Sequence, residues 1–240
     1  MSHRSASIVL AGGRSSRMGA SKALLDWHGM PLVARIAGIA LRECSPVVVV
    51  GEAGLPVPAD VERVADRHPG RGPLEGIAAG MRALAGRADA AIVTSTDAPF
   101  LHPVFLRGVA AALGSHDAAV PIADGREHPL AACWSLAALT AVEAALASDR
   151  LRVRSLLDEL DVAFVDAAGL GHAESLRNLN TPEDYRAGLG EPLPRVTVIR
   201  PGGERTLRRA ASLPVRELNG SPSGCPGMVP LVDGDVVRTR

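Results

Sequence analysis

Lysine is nearly missing from this 240-residue chain, which carries 26 basic residues, all arginine except Lys22. Other absences narrow the function. No apolar run approaches the roughly 20 residues that a helix needs to cross a bilayer. The N-terminus lacks the apolar stretch of a signal peptide. A cytoplasmic location without membrane attachment is therefore expected. Cys44, Cys133 and Cys225 are too few and too scattered for a disulfide framework or a zinc cluster. Acidic and basic residues balance at 26 each, so no net charge draws the chain to nucleic acid. Neither G-x-x-x-x-G-K-S/T nor G-x-G-x-x-G occurs, which disfavours a P-loop kinase and a dinucleotide-dependent dehydrogenase.

The one lysine closes a glycine-rich segment, Leu10-Ala11-Gly12-Gly13-Arg14-Ser15-Ser16-Arg17-Met18-Gly19-Ala20-Ser21-Lys22. An ammonium is a compact point charge that suits a crowded phosphate, whereas guanidinium is a wide planar fork. Lys22 is thus a phosphate-ligand candidate, with survival of compositional drift as the alternative. The segment follows the β-branched and aliphatic run Ser7–Leu10 and precedes an apolar-periodic stretch from Pro31, the order of a buried strand, a loop and a helix. Glycines admit backbone N–H groups close to a phosphate, and Arg14, Arg17 and Lys22 add positive charge. The loop is suited to a polyphosphate.

Alternation of Val/Ile runs with Ala/Leu-rich stretches predicts an α/β domain with a mainly parallel sheet. Strands are expected near 7–10, 46–50, 62–65, 90–94, 117–121 and 162–165, and helices near 31–43, 74–84, 103–113, 136–147, 153–159 and 181–188. Open sheets of this kind bind ligands beyond the carboxyl ends of their strands. That rule selects the loops after Leu10, from Asp66 to Pro73, and from Ser95 to Phe100. Asp97 in the third loop is placed to hold Mg²⁺, a hard cation usually bound by one or two carboxylates plus phosphates. Its alternative is to cap the helix starting near Pro103. Asp66 fits a nucleotide hydrogen bond or a turn equally.

Five segments in order, LAGGRSSRMGASKALL (10–25), GPLEGIAAGM (72–81), TDAPF (96–100), EHPLAACW (127–134) and NLNTPEDY (178–185), resemble the molybdenum cofactor guanylyltransferases. These belong to the wider nucleotidyltransferases with a three-layer, Rossmann-like GT-A fold. The resemblance implies a nucleotidyltransferase domain over 1–190. It implies nucleotide contacts from Leu10, Ala11, Gly12, Gly13, Asp66, Gly72, Pro73 and Leu74, phosphate contacts from Lys22 with Arg17, and Mg²⁺ on Asp97. Where relatives can carry an Asn after the second strand, this chain has Val50-Gly51-Glu52. On the acceptor side it points to His128, Pro129, Arg152, Asn178 and Asn180. Thr181-Pro182 is also a good helix start, and Arg150, Arg152 and Arg154 also fit a solvated helix face.

The implied reaction transfers GMP from GTP to the terminal phosphate of molybdopterin, or of its molybdenum form, releasing pyrophosphate. Other cofactor-biosynthesis proteins and apo-molybdoenzymes are the implied protein partners. The attacking phosphate monoester has a second pKa of about 6 and needs no side-chain base. His128 is then structural or substrate-side, and His102, His116 and His172 read as ordinary loop histidines. Residues 191–240 extend past the family domain and read as a small β appendage or a partly ordered tail, with strands near 195–200 and 228–237 and a hairpin turn at Asp233-Gly234. Two rivals stand beside this reading: a cytidylyl or sugar-phosphate nucleotidyltransferase, and a nucleotide-binding adapter without catalysis.

Overall fold

A computed structural model describes residues 5–12, 21–66, 68, 70–214 and 228–238. Gly13, Arg14, Arg17 and Cys225, named above, lie outside the described residues. The strands of the main sheet are β1 (Ser5–Leu10), β2 (Val47–Gly51), β3 (Val61–Ala65), β4 (Ala90–Ser95), β5 (Ala118–Ala123), β6 (Arg126–Glu127), β7 (Cys133–Ser135) and β8 (Val162–Asp166). Helices are α1 (Leu32–Ala40), α2 (Pro73–Leu84), α3 (Pro103–Ala112), α4 (Leu139–Ala147), α5 (Val153–Leu157) and α6 (Pro182–Leu189). None among the described residues is long and apolar enough to cross a membrane.

The sheet runs β3-β2-β1-β4-β7-β5-β6, with β8 beside β5. Strands β3, β2, β1 and β4 are mutually parallel, and β8 is parallel to β5. Alternation along β1 explains the layers, because successive side chains leave opposite faces of a strand. Val9 joins α1 and α3 in one core, while Ile8 and Leu10 join α2, α4 and α5 in the other. Both faces being covered, β2 can be an uninterrupted Val run with all four valines buried. The chain leaves β1 for β2 on one side and later returns to place β4 on the other. This strand-order reversal opens a crevice at the carboxyl ends of β1 and β4.

Most expected elements stand within a few residues of their positions, and four corrections follow. The first helix ends at Ala40 rather than Glu43. The helix expected from Leu136 opens with a 3₁₀ turn, and α4 begins at Leu139. A strand not foreseen, β7, runs antiparallel between β4 and β5. At three residues it is too short to carry a periodicity, and its place depends on partners far along the chain.

The fourth correction concerns the C-terminal residues. Strands β9 (Arg195–Ile199), β10 (Arg205–Arg209) and β13 (Val236–Arg238) form one small sheet, and β11 (Ser212–Pro214) pairs with β12 (Met228–Pro230). Asp233-Gly234 is a turn, but not of a hairpin, since β12 and β13 belong to different sheets and β13 runs parallel to β9. It docks on the start of β9 instead, where the Arg195 N–H donates to Asp233 Oδ1 at 2.8 Å and the Gly234 N–H to the Arg195 carbonyl at 2.9 Å. Val196, Val198, Leu213 and Leu231 bury a small core of their own, and Val232 joins the main one.

Candidate active site

Parallel pairing sets Leu10 of β1 beside Ser95 of β4, so the segments that follow them leave the sheet together. The Thr96 N–H donates to the Leu10 carbonyl at 3.2 Å, and the Ala11 N–H to the Val50 carbonyl at 2.8 Å. Gly12 then faces outward, and a Cβ built on it would meet nothing within 4 Å. Lys22 opens a 3₁₀ turn, Lys22–Leu24, which returns its side chain to the same crevice.

Three expected residues meet there. The Lys22 ammonium donates to Asp97 Oδ2 at 3.0 Å and to Asn180 Oδ1 at 3.3 Å. Ser95 Oγ donates to the other carboxylate oxygen, Asp97 Oδ1, at 2.5 Å. The side chains of Lys22 and Asp97 retain 23% and 18% of their exposure, so the pair is accessible from solvent. Because an ammonium only donates, the Asn180 amide must present its oxygen.

The 177–180 segment is tied to the Asp97 loop by Leu179 and by Arg177. The Leu179 N–H donates to the Asp97 carbonyl at 2.8 Å, and the Arg177 guanidinium lies 3.6 Å over the Phe100 ring. Asn180 itself is fixed by the cap of α6. Asp184 Oδ2 accepts from the Asn180 and Thr181 N–H groups, and Thr181 Oγ1 accepts from the Asp184 N–H. This reciprocal box satisfies N–H groups that the helix start leaves without partners. The same donated bonds hold the Asp184 carboxyl below its ordinary range.

Asp97 does not cap α3. That role falls to His102, whose Nδ1 accepts from the Val104 N–H at 3.1 Å. His102 and His172 are accordingly not ordinary loop histidines: their rings stack at 3.5 Å. Histidine is not a common N-cap, so the sequence gives little signal for it.

Other expected residues lie apart from the cluster or serve visible structural ends. Asp66 Oδ1 accepts from the His68 N–H at 2.9 Å, a turn-forming contact. Gly72 takes φ 90°, a left-handed conformation that glycine adopts without strain, and Pro73 starts α2. Leu74 is fully buried in the core, so its side chain packs under the sheet. His128 lies between β6 and β7, and burial lowers its pKa. The Pro129 carbonyl accepts from Trp134 Nε1 at 3.2 Å. Arg152 is exposed ahead of α5, and Asn178 is exposed beside the cluster.

Glu75, in the first turn of α2, has a side chain that is 3% exposed and is faced by a histidine and two arginines. His68 Nδ1 lies 3.2 Å away, with Arg82 at 3.6 Å and Arg71 at 3.9 Å. A buried carboxylate needs such partners. The only hint in the sequence is an acid inside an otherwise small and apolar motif.

Comparison with known proteins identifies the family. Residues 7–163 match the MobA-like NTP transferase domain. A molybdenum cofactor guanylyltransferase of Rhodobacter capsulatus is 35% identical over 186 residues, 75% of this chain and 93% of that protein. Another from Rhizobium rhizogenes is 33% identical over 188 residues, 74% and 87% of the two chains. Among solved structures, molybdopterin-guanine dinucleotide biosynthesis protein A from Archaeoglobus fulgidus superposes with a TM-score of 0.61 at 25% identity, over 75% of this chain and 94% of that one. A 2-C-methyl-D-erythritol 4-phosphate cytidylyltransferase from Thermus thermophilus, at 18% identity and TM-score 0.56 over 75% and 95% of the chains, shares the fold. With a family match spanning most of the chain and relatives above 30% identity covered almost end to end, this protein belongs to the MobA-like NTP transferases.

Proposed function

We propose that this nucleotidyltransferase moves GMP from GTP to the terminal phosphate of molybdopterin, with or without molybdenum, and releases pyrophosphate. The observation that carries the reading is the Lys22–Asp97–Asn180 cluster at the β1/β4 crevice, in a chain whose curated relatives are named molybdenum cofactor guanylyltransferases. Consumption of GTP suits a cytoplasmic location.

In the free protein the Lys22 and Asp97 charges compensate each other. On binding, the triphosphate crosses the opening at Gly12 and the Lys22 ammonium turns from Asp97 to the phosphates. Asp97 would then be the residue that holds Mg²⁺. The donor chemistry fits that ion, since Asp97 offers a hard carboxylate oxygen and Mg²⁺ is usually bound by one or two carboxylates plus substrate phosphates. Bound there, Mg²⁺ supplies neutralisation of charge on the transferring phosphate. Ser95 holds one Asp97 oxygen and keeps the other aimed into the crevice. The ionised acceptor phosphate attacks the α-phosphorus, a P–O bond forms, and the bond to the β-phosphate oxygen breaks. No general base is required, and orientation with charge compensation supplies the catalysis. Asn180, with Asn178, His128, Pro129 and Arg152, are the acceptor-side residues of this reading. Leu10, Ala11, Gly12, Asp66 and the Gly72–Leu74 turn are its nucleoside side.

Nucleotide selection tests the reading. A ligand at a hundredfold excess over its Kd stabilises the native state by about 2.7 kcal/mol. Mg²⁺ with GTP should therefore raise the melting temperature well above the shifts with CTP or ATP at equal concentration. Equal shifts, or a larger one with CTP, contradict guanylyl specificity.

A further inference from the structure

The buried cation that joins the C-terminal strands to the rest of the molecule also touches the Asp97 loop. Arg35 lies on α1, a helix whose residues are all buried, and is itself 4% exposed. Its Nε donates to the Pro99 carbonyl at 2.9 Å, Nη1 to the Ala211 carbonyl at 3.1 Å and Nη2 to the Leu231 carbonyl at 3.2 Å. These acceptors come from three separate segments: the loop after β4, the residue before β11 and the residue after β12. Burial pushes the guanidinium down to about 10, so it stays charged at neutral pH, and the nearby Asp235 favours that charge.

Resting on the role proposed for Asp97, we infer that Arg35 is a positioning residue for the reaction and that the C-terminal strands brace the Asp97 loop through it. Three backbone groups of the loop are held by other segments. Thr96 is tied to β1 through Leu10, and Asp97 to the 178–180 segment through Leu179. Pro99 is tied through Arg35 to the C-terminal strands. Losing the third leaves Asp97 with a wider range of positions, and displacement of a charge-stabilising group costs rate rather than affinity.

The brace is rigid on its far side. The Leu231 N–H donates to the Ala211 carbonyl at 2.8 Å, the same oxygen that accepts from Arg35. Arg42, two turns further along the same side of the molecule, pairs with both oxygens of Asp235 at 2.9 and 2.6 Å. Asp235 Oδ2 in turn accepts from the Val232 N–H at 2.9 Å. A β-carbon on Gly38 of α1 would meet Pro230 Cγ at 2.9 Å, so helix and strands are in close contact. Only guanidinium reaches three acceptors in one plane; a lysine ammonium keeps the charge but not the fork.

The test compares the full-length wild type with Arg35→Lys. Hydrogen exchange is read at the Thr96, Leu101 and Leu179 amides without nucleotide, and kcat and KM for GTP are read under turnover. Exchange at these amides should rise by about tenfold, with core amides of β1 and β2 unchanged, since local opening is separable from global unfolding. Turnover should show a lower kcat at nearly constant KM for GTP. If Arg35→Lys does not fold, Arg42→Gln loosens the same strands from their other anchor and should shift both readouts in the same direction by less. Unchanged exchange at Thr96 and Leu179, or a loss confined to melting temperature with normal kcat, overturns the inference. Asp97→Asn, assayed in parallel, separates the two claims: near-normal turnover there defeats the catalytic reading of Asp97, whatever Arg35→Lys does.

Discussion

Lys22 holds the charge on which the site turns, and its chemistry is testable within the basic residues. Its ammonium reaches two oxygens on different segments, Asp97 Oδ2 and Asn180 Oδ1. A guanidinium there would spread a planar fork where one nitrogen now fits. Lys22→Arg is therefore expected to lower kcat/KM for GTP by about tenfold or more, near 1.4 kcal/mol of barrier, with little change in melting temperature. Wild-type kcat/KM in that variant returns the lysine to compositional drift. His102 gives a second residue-scale prediction. Its Nδ1 accepts from the Val104 N–H, and its Nε2 lies 3.3 Å from the Asp233 carbonyl, a pattern that requires the neutral ring with the proton on Nε2. Burial lowers its pKa beneath the ordinary 6.5, against the Asp233 hydrogen bond and the field of Asp235, with His172 and Arg42 adding to the lowering. Below about pH 6.5 the unfolded chain binds a proton that native His102 resists, so its contribution is full above that pH and is lost as the pH falls. His102→Asn keeps a capping oxygen and removes the titration. Between about pH 7.5 and 5 its melting temperature should fall less steeply than that of the wild type, with His28 and His128 retaining part of the slope. Identical slopes would remove His102 from the account.

At the scale of elements, the contact between α2 and β1 is set by a residue without a side chain. A β-carbon on Gly80 would lie 2.6 Å from Ile8 Cγ2 and 2.8 Å from Cγ1, and Ile8 is fully buried. Alanine gains about 1 kcal/mol of helix propensity over glycine. Forcing an extra carbon into a packed core typically costs about 1–3 kcal/mol. Gly80→Ala should therefore lower stability in urea unfolding, and a stabilised variant would mean that α2 can slide on β1. Much of this layer was legible in the sequence, because β1, β2 and β4 are apolar runs buried on both faces and α2 and α3 start at prolines. The loops at strand ends were legible for the same reason. Short or non-local elements were not: β6 and β7 have two and three residues and exist through pairing with β5 and β4. Arg35 was not legible in the sequence, because a lone cation in an apolar-periodic helix reads as its solvent face, and only three distant carbonyls make it a buried residue. The joining of Lys22, Asp97 and Asn180, 158 positions apart at the extremes, follows from the crossover topology, which family motifs indicate and periodicity does not.

For the whole molecule, the main sheet and the C-terminal strands share one helix. α1 packs on the main sheet with its apolar residues and on the C-terminal strands through Arg35, Gly38 and the neighbouring Arg42. The described residues beyond 190 thus pack on α1, the helix whose Arg35 also holds the Pro99 carbonyl. The central claim is that this assembly makes a guanine dinucleotide. Its most direct measurement is the mass of the product formed when the full-length protein is incubated with Mg²⁺, molybdopterin and GTP, CTP or ATP in turn, with Asp97→Asn alongside. The account predicts pyrophosphate and a product heavier than molybdopterin by one GMP unit with GTP, far less with CTP or ATP, and almost none with Asp97→Asn. A CMP adduct as the main product, or an undiminished GMP adduct from Asp97→Asn, would contradict it.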